Sequence, residues 1–155
     1  MKKESVWDYP RPPLLEPCSR EIKIIFGSII AKTNNSYRVL ETSHPPTFYL
    51  PRSSFKEGVL IPINLKTLCE WKGEAEYFNI KSTDGRISNK SAWSYNSPKD
   101  DFIKIKGYIA IYPNSVDSCL LNKEEAKSQE GDFYGGWITS DIIGPFKGGV
   151  GSYGW

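Results

Sequence analysis

The sequence predicts a mainly β fold: a single compact antiparallel β domain over residues 1–155, with little helix. Short stretches of alternating apolar and polar residues follow one another, separated by Gly, Pro, Asn and Asp. No sustained helical period interrupts them. Aromatic residues are abundant, with 5 Trp, 9 Tyr and 7 Phe in 155 residues, and these side chains favour strands. The length suits one domain with a substantial core.

The first 20 residues are predicted to form an extended, proline-rich arm. Because proline has no N–H to donate and a fixed φ, we do not expect this segment to form a helix. We expect Trp7 and Tyr9 to attach the arm to the body of the protein. The four prolines are Pro10, Pro12, Pro13 and Pro17.

The strands of the first half begin at Glu21, where Ile22, Ile24 and Phe26 alternate with other residues. Gly27-Ser28 predicts a tight turn into a second strand. Further extended segments are predicted at residues 36–41, at 45–55 as loop or edge strand, and at 60–68.

The clearest hairpin joins residues 74–82 and 86–95 around Asp84-Gly85, because Asp-Gly tolerates the positive φ angles of a tight turn. Residues 102–112 show the clearest alternation and predict a strand. Its core face would carry the isoleucines Ile103, Ile105, Ile109 and Ile111.

The last quarter has two features. Around Asn122-Lys123 the sequence permits a short strand pair, or instead one helical turn over residues 123–127. Residues 131–155 form a tail rich in glycine and aromatic residues, which we expect to pack on the sheets because glycine permits close approach.

Composition limits the partners. With 20 basic and 18 acidic residues interspersed, the net charge is +2 and no basic stripe appears, so nucleic acid is not expected. No apolar run approaches the roughly 18 residues that span a bilayer, so no association with a membrane is expected either.

The cysteines Cys18, Cys69 and Cys119 are odd in number and widely spaced, which predicts free thiols, a cytoplasmic location and no zinc site. No pattern identifies a cofactor or an oligomeric state.

The first candidate site is the run Arg38 to Pro46, which holds the only histidine, His44. A histidine is the side chain that titrates near neutral pH without help. Arg38 and Glu41 are an odd number of positions apart, so their side chains would face opposite sides of a regular strand unless the strand bends. The alternative interpretation is that His44 only stabilises the turn before Pro45-Pro46.

The second candidate is Cys69-Glu70-Trp71-Lys72-Gly73, where a lysine follows a thiol by three residues. A nearby ammonium group can lower a thiol's pKa and make it a nucleophile. The alternative is a buried, inert Cys69 with Trp71 in the core and Lys72 in solvent.

These runs, taken in order, resemble the domain of unknown function 427 family from Pro10 to the end of the chain. The matching stretches are residues 38–46 with Tyr49 and Pro51, 67–73 with Ala75 and Tyr77, 92–95, 107–108 with Tyr112, 116–117, 133–139 and 144–148. The resemblance implies a fold similar to the β-tent of cereblon-type ligand domains and methionine sulfoxide reductases, in which two sheets meet at an angle and leave a cleft. The paired cysteines that bind zinc in those relatives are absent, and Glu70 stands where the family often has proline.

Members of this family are sometimes labelled nucleotidyltransferase-like. Such enzymes follow a Gly-Ser turn with carboxylates that hold metal ions. Here Gly27-Ser28 is followed by Ile29-Ile30-Ala31-Lys32, without a carboxylate, so the residues do not support that activity.

The leading hypothesis is a small-molecule binding domain whose ligand sits in a polar and aromatic cleft. Its polar contacts would come from Arg38, Glu41, His44 and Lys72, and its walls from Tyr49, Trp71, Tyr77 and Trp93. One alternative is a hydrolase or transferase with Cys69 as nucleophile, His44 as general base and Glu41 orienting the imidazole. The other is a protein-interaction module that uses the arm and the tail.

Overall fold

A computed structural model describes residues 2–69, 71–131, 134–149, 151–152 and 154–155. The parts of the predicted motifs that fall on Glu70, Asp132, Phe133, Val150 and Tyr153 lie outside these residues. The prediction of a mainly β chain with several antiparallel sheets is confirmed. One two-stranded sheet, which pairs Glu4–Ser5 with Ile142–Ile143, is parallel.

Fifteen strands are described, and the helical segments are short 3-10 turns. The strands are β1 (Glu4–Ser5), β2 (Leu14–Cys18), β3 (Ile22–Phe26), β4 (Ser28–Thr33), β5 (Ser36–Leu40), β6 (Thr47–Tyr49), β7 (Leu60–Cys69), β8 (Gly73–Lys81), β9 (Ile87–Tyr95), β10 (Ile109–Ile111), β11 (Ser118–Leu121), β12 (Glu124–Glu125), β13 (Lys127–Ser128), β14 (Trp137–Ile138) and β15 (Ile142–Ile143). The 3-10 turns are Val6–Asp8, Arg52–Ser54, Asp100–Ile105 and Pro113–Ser115.

The largest sheet has the antiparallel order β10-β9-β8-β7. Its centre is the predicted hairpin of β8 and β9, whose turn includes Gly85 at φ 92°. The register places Tyr77 opposite Trp93 and Ala75 opposite Tyr95. Directly opposed residues project from the same face, so this hairpin presents a row of aromatic side chains.

A second four-stranded sheet has the order β12-β11-β3-β4. Ile22, Ile24 and Phe26 are buried along β3, as their alternation predicts. Asn122 and Lys123 form the turn between β11 and β12 with positive φ angles of 47° and 71°, so the strand-pair alternative is correct and the helical turn is wrong.

A three-stranded sheet has the order β2-β5-β6 and contains part of the predicted arm. Residues 14–18 pair along the whole of β5, with Pro17 opposite Tyr37. Proline is tolerated here because β2 is an edge strand. The first part of the arm is also attached: Tyr9 is buried, and the Trp7 indole N–H donates to the Pro145 carbonyl at 2.9 Å.

The predicted strand over residues 102–112 is wrong. Residues Asp100–Ile105 form a 3-10 turn, Gly107 has φ 75°, and only β10 is extended. Ile105 is fully buried, whereas the side chain of Ile103 is 55% exposed. The prediction failed because the chain changes direction in a tight turn between the isoleucines. The spacing of apolar residues alone does not distinguish such a turn from a strand.

Two contacts join the sheets and the tail. Leu50 and Ile109 exchange backbone hydrogen bonds of 2.8 and 2.7 Å, which places β6 beside β10. Trp137 of β14 is fully buried, with its ring 4.9 Å from that of Phe48. The tail therefore contributes to the main apolar core. A cleft lies where β5 and β6 meet the strands β7, β8 and β9 of the largest sheet.

Replacing Ile105 by alanine should lower the free energy of unfolding by about 2–5 kcal/mol, because it removes buried methylenes and leaves a cavity. Replacing Ile103 should cost about 0.5 kcal/mol or less, because that side chain lies largely in water. Urea unfolding of the two variants measures the difference. Equal losses of unfolding free energy at both positions would contradict the 3-10 turn. They would instead support a strand in which both isoleucines face the core.

Candidate functional site

One cavity of about 400 Å³ collects most of the residues that the sequence singles out. It lies between the chain that follows β5, the aromatic face of the β7–β9 sheet, and the tail. The predicted site residues that line it are Glu41, His44, Tyr49, Cys69, Trp71, Lys72, Tyr77 and Trp93. They come from five separate segments of the chain, so the cleft exists only in the folded protein.

Arg38 is the predicted site residue that the structure places elsewhere. Its guanidinium donates to Glu4 at 2.8 Å and to Glu16 at 2.7 Å, while its neighbour Val39 lines the cleft. Successive residues of a strand point to opposite faces, and the bend after β5 does not reverse that. Hydrogen bonds from Arg38 hold the pKa of the Glu4 carboxyl below its usual value. Arg38 thus attaches β1 and β2 to β5 and does not serve the cleft.

A tight turn after β5 positions the histidine. The His44 N–H donates to the Glu41 carbonyl at 3.0 Å, and Ser43 adopts φ 72°. The buried Ser43 N–H donates to the Val6 carbonyl at 3.1 Å, which fixes the turn to the N-terminal segment. This geometry brings Glu41 Oε2 to 3.7 Å from His44 Nε2, with side chains that are 21% and 16% exposed.

Gln129 determines which imidazole nitrogen carries the proton. Its Oε1 accepts from the Gly136 N–H at 3.2 Å, and its Nε2 donates to the Lys147 carbonyl at 2.8 Å. Backbone groups have fixed roles, so the amide orientation is fixed as well. The remaining amide hydrogen therefore points to His44 Nδ1, at 3.1 Å. Nδ1 must accept this bond, and the proton of the neutral ring lies on Nε2.

The surroundings keep His44 neutral. Burial lowers the pKa of the imidazole below its ordinary value of 6.5, and the cations Lys147, Arg11 and Lys72 lower it further. The carboxylate of Glu41 opposes this effect without overcoming it. At neutral pH the ring is thus an uncharged donor through its Nε2–H, and His44 lines the cleft beside Glu41.

The aromatic walls of the cleft are held in place by contacts with one another and with the tail. The Trp93 indole N–H donates to the Tyr49 hydroxyl at 3.3 Å, and the Trp93 ring lies 4.5 Å from that of Tyr112. Gly135 lies against Trp93 so closely that a Cβ would overlap the indole. Burial raises the pKa of Tyr49 and of Tyr95, so both phenols stay protonated.

The second candidate motif forms the opposite rim. Lys72 Nζ lies 3.8 Å from the Cys69 sulfur and 5.7 Å from the centre of the Phe102 ring. Gly73, at φ 108°, turns the chain from this rim into β8. A second cation, Lys147, lines the cleft and donates from Nζ to the Trp155 carbonyl at 2.8 Å.

Sequence reasoning missed several residues of the cleft. Tyr134 and Lys147 lie in tail stretches that carry the family resemblance, so a signal for them existed. The Tyr134 ring lies 5.3 Å from that of His44. Gln129 gave no signal, because an amide 85 residues from the histidine has no local pattern that marks it.

Two further findings concern the part of the chain that the structure describes. There, no group of three or more His, Cys, Asp or Glu side chains is placed to hold a metal ion. None of the helices in that part is long and apolar enough to cross a membrane.

Comparison with known proteins gives a family. The model of a family described as a domain of unknown function (DUF427) matches residues 14–122. These residues carry both candidate motifs and the aromatic hairpin, while the tail lies beyond the matched range. A comparison with curated proteins gives no match.

The depressed pKa of His44 should make stability depend on pH in a defined direction. Above pH 6.5 the imidazole is neutral in both the folded and the unfolded states, so the full stability is present. As the pH falls below 6.5, the unfolded state binds the proton first and the free energy of unfolding decreases. Urea unfolding at about pH 7.5 and about pH 5.5 measures this loss, since that range brackets the unperturbed histidine pKa.

The control is His44→Gln, which should show a smaller loss over the same range because it lacks the titrating group. An NMR titration of the only imidazole gives the pKa directly. A value at or above 6.5 would contradict the account of His44 as a buried, neutral donor.

Proposed function

The chain belongs to the domain of unknown function 427 family, and on that premise we propose that it binds a small molecule in the cleft beside His44. The observation that carries the proposal is the convergence of aromatic walls and a few fixed polar groups on one cavity of about 400 Å³. Concave, mostly apolar sites with few polar groups are typical of small-molecule binding, and this volume lies in their usual range.

The rigidity of the walls supports binding. Tyr49 is 1% exposed and Trp93 is 7% exposed, and each is fixed by the other and by further ring contacts. A wall that does not need to be ordered costs little conformational entropy when a ligand enters. A flat aromatic or heteroaromatic compound suits such walls, because stacked or edge-to-face contacts add to the buried area.

The charges at the rim also suit a polar ligand. Lys72 and Lys147 line the cleft together with one carboxylate, Glu41, and with the neutral His44. A ligand would therefore meet two amines, an imidazole N–H and a carboxylate beside the aromatic walls. Such an arrangement orients a bound molecule without demanding a strongly charged one.

The enzyme alternative receives less support from the geometry. A histidine that activates Cys69 needs a free basic nitrogen, and the basic Nδ1 of His44 already accepts the bond from Gln129. The other ring nitrogen, Nε2, carries the proton instead. This arrangement favours recognition over proton abstraction.

Thermal-shift measurements with flat aromatic compounds such as indole, quinoline and purine test the proposal. At least one should raise the melting temperature, because a ligand of the native state stabilises it. Trp71→Ala should abolish that rise because it removes a wall of the cleft. Trp7→Ala should keep it, because Trp7 packs on Trp155 away from the cleft lining. An equal rise in both variants would exclude the cleft as the binding site.

A further inference from the structure

The cleft contains a donor and an acceptor that make no hydrogen bond to any other group of the described residues. Within the described residues, neither His44 Nε2 nor the Glu41 carboxylate makes a hydrogen bond, although both side chains are about four-fifths buried. The two groups lie 3.7 Å apart, too far for a hydrogen bond between them. Neither group is among the fully buried side-chain atoms that lack a partner, so both are accessible, and both residues line the cleft. A molecule bound in the cleft can therefore bond to both.

The Arg11 guanidinium does not occupy the Glu41 carboxylate. Its Nη2 lies 3.9 Å from Glu41 Oε2, beyond hydrogen-bond distance, and the Arg11 side chain is 43% exposed. An exposed ion pair of this kind contributes little. The carboxylate therefore retains its capacity to accept a hydrogen bond from within the cleft.

The chemistry of a ligand that bonds to both groups follows from their two roles. His44 offers an N–H, because Gln129 occupies its other nitrogen, and Glu41 offers a lone pair. A molecule that satisfies both must carry an acceptor and a donor side by side. A cis amide within a ring has this arrangement, with its carbonyl next to its N–H. Paired bonds to adjacent donor and acceptor atoms are also how amide side chains read the edge of a base.

The walls define the rest of the molecule. Tyr77 and Trp93 project side by side from β8 and β9, and Trp71 lines the same cavity. Aromatic side chains that line one cavity favour a flat, conjugated partner. The amide edge must then lie in the plane of a ring that these side chains contact.

We propose that the cleft selects flat heterocycles that contain a ring lactam, with the lactam carbonyl bound by His44 Nε2–H and the lactam N–H bound by Glu41. This inference rests on the proposed function and names the class of ligand. Gln129 is a positioning residue: it holds the imidazole in the tautomer that offers a donor, without touching the ligand's lactam edge.

Three related probes test the selection. Carbostyril is a bicyclic lactam, N-methylcarbostyril lacks its N–H, and quinoline lacks the whole amide edge. Titration calorimetry on the full chain should give carbostyril a dissociation constant at least about tenfold lower than those of both controls, because the lost bonds involve a charged acceptor and buried groups.

Two variants locate the effect. Glu41→Leu should remove the preference for carbostyril over quinoline, because the acceptor is lost while the walls remain. Glu57→Leu, a matched change at an exposed glutamate outside the cleft lining, should keep that preference. If Glu41→Leu does not fold, as judged by circular dichroism, the comparison of the three probes on the natural chain decides alone.

Equal affinity for carbostyril, its N-methyl form and quinoline would overturn the lactam inference and leave the proposed binding function standing. Binding of none of the three would overturn both. A preference for carbostyril that survives in a folded Glu41→Leu variant would also overturn the inference, because the lactam N–H would then have a different acceptor.

Discussion

The cleft depends on the side-chain amide of Gln129. Its three hydrogen bonds reach the Gly136 N–H, the Lys147 carbonyl and His44 Nδ1, so one group joins two segments of the tail to the turn after β5. The contact is close: a Cβ at Gly136 would overlap both Gln129 and Pro45. The amide cannot exchange its donor and acceptor ends without losing its two hydrogen bonds to backbone groups. The tautomer of His44 is therefore fixed by the fold.

The local features of the sequence predicted the sheets well. Alternation identified β3, and Asp84-Gly85 identified the β8–β9 hairpin, because period 2 and turn chemistry act over a few residues. The same reasoning failed at residues 102–112, where a 3-10 turn carries isoleucines at strand-like spacing. There the non-local packing of Ile105, together with the positive φ of Gly107, overrides the pattern.

The cleft was predictable only in part. Single runs of sequence supplied Glu41 with His44 and Cys69 with Lys72, because chemically unusual residues stand close together in each run. Arg38 shares the first run but serves an ion-pair cluster with Glu4 and Glu16, whose pairing depends on β1 and β2. Partners that come from distant segments leave no mark on a local pattern, and the residue that controls the histidine is one of them.

The most direct test of this account is the position of the imidazole proton, which a long-range nitrogen–proton NMR correlation of the single histidine reveals. The account predicts, at neutral pH, a ring with an unprotonated Nδ1 and a protonated Nε2, without exchange between tautomers. A ring protonated at Nδ1, or one that exchanges freely between the two forms, would show that Gln129 does not control His44. The cleft would then lack the fixed donor on which its proposed selectivity depends.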